Sequence, residues 1–510
     1  MATGIDVRAQ MPRGPTLEEM PGFHIEHFGC RAARADGEAV SVRLRAAGLA
    51  EGKPSVADVV VVNTCSVTAE ADRAARAFIR KAHRLNPEAR IVVTGCYAQR
   101  APEELAAMDG VAAVVGNSHK ALAPQIISGL TRPEPKTTSL PLAFVPVESL
   151  LNGSASATAQ VWVDDQFAHS FLEDAYLGET QLVQTRPNLK IQEGCGNRCT
   201  FCVIPWTRGP SKSLPAASVM RQVEGFVAAG GKELVLSGIN LGRFSSGFGR
   251  ETLARMVRVI LEQTQLPRLR LSSIEPMDWD DELIGLMRDF GGKHLVSPRT
   301  GLSPWGGQLA RHAHLPLQSG SDAVLRRMHR RYRPWHYEEK VAALLRAAGP
   351  DLTLGADVMV GFPGETDCEF EETLTFIRAL PFGYLHLFPF SPRPGTRAWT
   401  LHAASPVPQA AVAERISVLR LLAAEKTRTH RSRFIGSSLP AITLRTRATL
   451  ASQGRTEALT ENFLPVEIDG RLSANQLLRV RITGLTAEGA LKGCAETATQ
   501  PLYGATATSV

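Results

Sequence analysis

The chain of 510 residues predicts an α/β protein in three successive blocks: an amino-terminal parallel sheet covered by helices, a central barrel or part of one, and a small carboxy-terminal β-barrel. Three observations carry this. Short apolar runs alternate with helical stretches in the first block, the alternation resumes after a Pro/Ser/Thr/Ala-rich stretch, and the last block has short alternating strands with no long helix. The length calls for two to four domains.

Residues 1–21 lack an apolar core pattern and are expected to be a disordered extension. The first domain is placed at 22–135. It reads as FHIEHF, a helix around Gly37–Ala47, VVVVN at Val59–Asn63, a helix near Ala69–Arg84, IVVTG at Ile91–Gly95, a helix after Pro102 and VAAVVG at Val111–Gly116. Such βαβα order builds a parallel sheet. Residues 136–186, containing LNGSASATAQ, read as an extended linker that partly packs. The second domain, 187–425, carries the strand candidates ELVLSGI, LRLSSIEP, AHLPLQSG, LTLGADVMVGFPGE and YLHLFPFSP. Within it, Ser297–Gln308 is a Gly/Pro-rich interruption expected as a surface insertion. At 430–497, AITLRTRA, FLPVEI and LLRVRITG predict the small β-barrel.

With 44% hydrophobic and 21% charged residues, the composition excludes a largely disordered chain. A net charge of +7 favours a polyanionic partner, because Lys and Arg displace counterions from phosphates. No apolar run is long enough to cross a bilayer, so no membrane partner and a cytoplasmic location are expected. Eight cysteines without a secretory signal argue for metal or catalytic use over a disulfide framework.

Cys195-Gly-Asn-Arg-Cys199-Thr-Phe-Cys202 puts three thiols in one loop after the apolar KIQEG strand. Three thiolates leave a cubane cluster one cysteine short, so one iron can take an outside ligand. Zinc sites usually use two pairs or Cys/His mixtures at other spacings, and no fourth Cys or His lies close in sequence. Cys30, Cys65 and Cys96 are far apart, yet each directly follows a predicted strand and sits beside Gly or Thr. Strand ends of a parallel sheet share one edge, where ligand crevices form. Separate buried core cysteines are the plainer reading; three at equivalent positions favour a second three-cysteine cluster.

The central spacing, followed by Ile204-Pro205, resembles the radical S-adenosylmethionine superfamily. Together with HFGC at His27–Cys30, NTCSVT at Asn63–Thr68, GCYAQ at Gly95–Gln99, LPLQSGSD at Leu315–Asp322 and GFPGET at Gly361–Thr366, it resembles the methylthiotransferases from about Phe23 to Cys494. GCYAQ, VVGN at Val114–Asn117, LHLFPFSPRPGT at Leu385–Thr396 and ALTENFLPV at Ala458–Val466 are similar to the threonylcarbamoyladenosine branch, ahead of the isopentenyladenosine and ribosomal-protein branches. Where family members commonly carry an Asn and an aromatic after the first cysteine, this chain has Ala33 and Ala35.

The resemblance implies a flavodoxin-like amino-terminal domain, a radical S-adenosylmethionine partial or full TIM-like barrel and a TRAM RNA-binding barrel. It implies two [4Fe-4S] clusters, on Cys195, Cys199 and Cys202 and on Cys30, Cys65 and Cys96, with S-adenosyl-L-methionine as cofactor. The expected reaction is methylthiolation of a tRNA adenosine beside the anticodon, with an electron donor such as flavodoxin or ferredoxin and a sulfur source as partners. A radical enzyme of another type, its amino-terminal domain serving only to dock substrate, and a noncatalytic iron–sulfur RNA sensor are the rivals.

Turns at Gly238 and Asn240, at Gln318 and Ser319, and at Gly361 and Glu365 are expected to approach the cofactor. Arg208-Gly209 reads as a cofactor or substrate contact or as an exposed structural arginine. The segment Arg326–Arg333 reads as a phosphate-contacting stretch or as a solvated helix face, and the run Lys426, Arg428, Arg431, Arg433, Arg445 and Arg447 is expected to meet RNA. Cys368 and Cys494 have no motif around them and are read as structural.

Overall fold

Val59–Thr64 is buried at every position, as a central parallel strand between two helix layers must be. This computed structural model describes residues 21–131, 159–165, 167, 172, 185–247, 251–291 and 308–496. The extension at 1–20, linker residues 136–158, the insertion at 297–307 and residue 497 lie outside the described residues. The chain divides into two units, Met1–Ser66 with Glu70–Ser170, and Val67–Ala69 with Phe171–Val510. Among the described residues no helix is long and apolar enough to cross a membrane.

In the first unit, β1 (Gly22–His27), β2 (Ala50–Glu51), β3 (Val59–Thr64), β4 (Arg90–Gly95), β5 (Val111–Gly116) and β6 (Gln160–Trp162) form one parallel sheet in the order β2-β1-β3-β4-β5-β6. The first five strands follow the flavodoxin-like order. Period-two alternation splits the core. Val60, Val62, Ile91 and Val93 pack with Ala75 and Ile79 of the helix Ala69–Leu85. Val59, Val61 and Val92 pack on the other face with Leu44 and Ile127.

The first helix runs Arg31–Ala46, earlier than the start expected at Gly37. Gly37 is interior to it, at a point where a Cβ would lie 2.2 Å from the His27 ring. The two-residue β2 and three-residue β6 are too short to carry a periodic signal; β6 falls in the stretch read as linker and pairs with β5.

The second unit opens with β7 (Asn188–Glu193), β8 (Lys212–Ser213), β9 (Glu233–Gly238), a hairpin of β10 (Ser245–Ser246) and β11 (Glu251–Thr252), β12 (Arg268–Leu271) and β13 (Gln308–Leu309). Its sheet order is β13-β12-β9-β7-β8, parallel except at β8. A second parallel sheet joins β14 (His312–His314), β15 (Thr353–Val360) and β16 (Phe382–Pro389). Among the described residues β16 does not pair with β7, so the barrel is partial. Leu234, Leu236, Leu269, Leu271, Leu354, Ala356 and Val358 bury one face of these strands beneath Val223, Ile260 and Leu374 of the surrounding helices. The alternate residues therefore line the interior.

After the helix Gln409–Ser432, strands β17 (Ser438–Thr443), β18 (Arg455–Thr460), β19 (Pro465–Asp469), β20 (Leu477–Leu485) and β21 (Leu491–Ala495) close a small barrel. RTEALT and LKGCA, absent from the sequence expectation, become β18 and β21 because closure pairs them. The loop after β18 enters the base of the partial barrel. Arg311 donates to the wholly buried Glu461 from its backbone N–H at 3.0 Å and its Nε at 2.7 Å, while the Phe463 ring lies 4.2 Å from that of His312. Glu233 sits nearby among Arg186, Arg268 and Arg270. Burial pushes its carboxyl up, but Arg270, Arg186 and Arg268 outweigh it and hold the group well below the usual carboxylate range.

Candidate cluster and cofactor site

The loop Cys195–Cys202 leaves β7 through Gly194, which has φ +73°; a Cβ there would stand 2.0 Å from the Pro210 carbonyl oxygen. Its backbone is then pinned. The Cys195 N–H donates to Gly209 O at 3.2 Å, the Thr200 N–H to Met328 O at 3.1 Å, and Thr200 Oγ1 to Arg327 O at 3.0 Å. His329 Nδ1 lies 3.0 Å from Arg198 O.

Burial pushes the Cys202 thiol up to about 12 and raises Cys199, with Arg330 opposing the shift at Cys199; Cys202 also feels Cys199 and Cys195, and Cys199 feels Cys195. The three thiols thus share one electrostatic neighbourhood. N–H donors surround the sulfurs: Asn197 N at 3.4 Å and Asn240 Nδ2 at 3.6 Å from Cys195 Sγ, and an Arg330 guanidinium nitrogen at 3.4 Å from Cys199 Sγ. Such donors stabilise the negative charge of cluster thiolates. The donor set fits a [4Fe-4S] cluster.

Arg330, in the stretch read as a phosphate contact or a solvated face, is instead buried here. Both its bonds to Glu275, at 2.7 and 2.8 Å, come from one nitrogen, and its Nε donates to the Tyr332 hydroxyl at 3.1 Å. Its neighbours form ion pairs nearer the surface: Arg326 and Arg333 pair with Asp322, Arg327 with Glu369, and Arg331 with Asp278, with Arg326 and Arg331 still exposed. Sequence reading missed Arg330, Glu275 and Gln192 as site residues. Arg330 lies between the buried Leu325, Met328 and Tyr332, a pattern that marks an inward position.

The other expected loops stand at the carboxyl ends of β9, β14 and β15, the edge where such barrels place their chemistry. The Asn240 N–H donates to Gln192 Oε1 at 2.8 Å, and a Cβ at Gly238 would meet that same side chain at 2.9 Å. Asn240 Oδ1 and Gln318 Oε1 are buried without hydrogen-bond partners; Gln318 holds φ +63° and its N–H donates to Asp357 O at 2.8 Å. Both can serve as ligand acceptors. Ser319 Oγ is engaged by Thr373 Oγ1 at 3.0 Å and Ser321 N at 3.1 Å. Glu365 Oε2 accepts from the Gly361 N–H and from Arg415, each at 2.8 Å. These two shape their loops from within. Arg208 is buried and donates to Glu193 at 2.8 Å, so it is not the exposed arginine of one sequence reading.

In the first unit the three separated cysteines follow neighbouring strands. Thr64 pairs with Gly95 across β3 and β4, so Cys65 and Cys96 leave adjacent strand ends. Gly29, at φ +113°, lies so close to Cys65 that a Cβ would stand 2.7 Å from its Sγ. Cys30 follows Gly29 directly and caps the helix Arg31–Ala46. Asn117 Nδ2 donates to Cys96 Sγ at 3.4 Å, and Asn63 Nδ2 to Ala33 O at 2.5 Å, so Asn63 reaches the helix turn where the family's Asn is missing. Cys30 is exposed while Cys65 and Cys96 are buried. Cys368 and Cys494 are both exposed and pack no core.

The carboxy-terminal basic run is mostly occupied. Lys426 donates to the carbonyls of Arg378 and Leu380, Arg431 to that of Gly489, Arg433 to that of Pro350, and Arg447 pairs with Glu457. Arg428 and Arg445 are exposed and have no ion-pair partner among the described residues.

Residues 22–116 match an uncharacterized protein family, UPF0004, and residues 189–377 match the radical SAM superfamily. The chain is 32% identical to the threonylcarbamoyladenosine tRNA methylthiotransferase MtaB of Rickettsia prowazekii, over 91% of this chain and 95% of that protein. It is 31% identical to the tRNA-2-methylthio-N(6)-dimethylallyladenosine synthase of Lawsonia intracellularis, over 74% of this chain and 77% of that one. Among solved structures, the radical S-adenosylmethionine methyltransferase TsrM of Kitasatospora setae aligns with a TM-score of 0.48 at 13% identity over 72% of each chain. With a radical SAM domain behind a UPF0004 domain and an MtaB protein matched across nine-tenths of its length, the chain belongs to the radical S-adenosylmethionine tRNA methylthiotransferase family.

Proposed function

We propose that this enzyme methylthiolates carbon 2 of N6-threonylcarbamoyladenosine next to the anticodon of tRNA. The observation that carries the reading is a three-cysteine loop whose sulfurs meet Asn240 and Arg330, in a chain that matches an MtaB protein over 91% of its length. Cys195, Cys199 and Cys202 would hold a [4Fe-4S] cluster, and Cys30, Cys65 and Cys96 a second one. Bound together, the first cluster and S-adenosylmethionine supply a deoxyadenosyl radical able to break an unactivated aromatic C–H bond, which no side-chain acid or base does at neutral pH.

The chain's own contribution is positional. Asn240 and Gln318 offer buried acceptors to the cofactor's amine, and Gln192 orients Asn240. Arg330, itself fixed by Glu275, places positive charge beside Cys199 and favours its thiolate. Within the carboxy-terminal basic run, Arg428 and Arg445 are exposed cations that phosphates can reach. The target base must leave its stack, at about a few kcal/mol and less in a loop. Two partners complete the scheme, an electron donor such as flavodoxin or ferredoxin and a source of sulfur, in the cytoplasm.

Mass spectrometry of tRNA from a deletion strain tests the substrate. Loss of the methylthio form of threonylcarbamoyladenosine is expected; loss of the isopentenyl derivative instead would transfer the chain to the other branch. Cys65→Ala should abolish thiolation while sparing cleavage of S-adenosylmethionine to 5′-deoxyadenosine, and retained thiolation would remove the sulfur role of the amino-terminal cysteines.

A further inference from the structure

We propose that His314, Asp357 and His386 form a divalent metal site of the zinc type inside the partial barrel. The three residues stand on adjacent parallel strands β14, β15 and β16, with Asp357 directly paired to His386 and His314 paired to Gly355. The alternate residues Leu354, Ala356 and Val358 face the helix layer, so the two histidines and the carboxylate share the opposite, interior face.

One donor atom from each residue lies within 4.8 Å of the other two. Asp357 Oδ1 is 3.4 Å from His314 Nε2 and 3.2 Å from His386 Nδ1. The His386 contact is within hydrogen-bonding range, whereas the His314 contact is longer than the about 2.7–2.9 Å of a charge-assisted N–H···O bond. The edge of a zinc coordination tetrahedron is about 3.3–3.4 Å, from bonds of about 2.0–2.1 Å. His314 Nε2 is buried and makes no hydrogen bond, although the carboxylate stands beside it. A shared cation relieves that isolation.

The surroundings hold the rings in place. Tyr384 packs at 5.8 Å from the His314 ring and 5.2 Å from that of His386, and its hydroxyl meets His312 Nε2 at 2.8 Å. Gly355 leaves the room, since a Cβ there would stand 2.1 Å from the Tyr384 ring. Side-chain exposure rises from 8% at His314 through 26% at Asp357 to 61% at His386, so the coordination sphere opens on the His386 side. Two neutral imidazoles and one carboxylate with open positions are a donor set for zinc or ferrous iron, and the open positions accept oxygen ligands. On the substrate reading above, those oxygens belong to the threonyl carboxylate and hydroxyl.

The test uses the full chain with its clusters reconstituted, mixed with about one equivalent of zinc chloride and desalted. Wild type should retain about one zinc per chain, with zinc-edge absorption showing only N/O neighbours at about 2.0–2.1 Å. Asp357→Ala and His386→Ala should keep their iron and lose zinc at least about tenfold, as expected when a ligand is removed. The exposed His386 provides the variant that leaves the fold intact. Wild type without zinc, equal zinc in wild type and variants, or a sulfur shell at about 2.3 Å would each overturn the site. Zinc retention is read without turnover, so its failure is distinct from failure of the methylthiolation assay.

Discussion

Arg330→Met strips a buried cation from the cluster loop and leaves Glu275 without its partner. The two side chains are 5% and 17% exposed and are joined by bonds of 2.7 and 2.8 Å, so solvent can replace little of what is lost. Removing one member of a buried ion pair costs about 3–5 kcal/mol. For a domain of this size each kcal/mol moves the melting midpoint about 2–4 °C, which sets the expected fall at roughly 6–20 °C. Calorimetry on cluster-loaded protein, with iron content as the loading control, reads it directly. Glu275→Gln in the Arg330→Met background should recover part of the loss, because the stranded carboxylate is then neutral. A fall below about 2 °C in the single variant, or no recovery in the double, would refute the pairing argument.

Gly194→Ala should displace the Cys195 loop, since its Cβ would meet the Pro210 carbonyl oxygen at 2.0 Å; iron should drop from about eight per chain to about four on reconstitution, read by elemental analysis. His430 is held at about 4, below its ordinary 6.5, by burial and then by Arg433 and Arg431. The folded state therefore prefers the neutral ring: this contribution is whole above pH 6.5 and is lost as pH falls through 4, by up to about 3 kcal/mol. His430→Gln should flatten that decline in melting curves taken across the window, and an unchanged slope would show that other groups carry it.

The valine-rich β3 and the strands flanking it were legible because a strand buried on both faces must be apolar throughout. The cysteine loop was legible for a similar reason: its spacing is itself the ligand geometry. The place of Arg330 was not: within the basic stretch Arg326–Arg333 only the folded chain buries Arg330 against Glu275, while Arg326 and Arg331 stay exposed beside Asp322 and Asp278. Likewise β18 and β21 have little pattern of their own and owe their pairing to closure of the barrel.

The sequence by itself determined the order of the main elements and the positions of the six cysteines at strand ends and within one loop, because these follow from local periodicity and spacing, and its motifs carried the resemblance to a radical-enzyme family. Tertiary structure decided which charges neutralise one another, which polar atoms stay unpartnered for a ligand, and that His314, Asp357 and His386 converge. The physical reason is that ion pairing and ligation depend on distances across neighbouring strands, and those distances are set by sheet order and register, which a one-dimensional pattern does not contain.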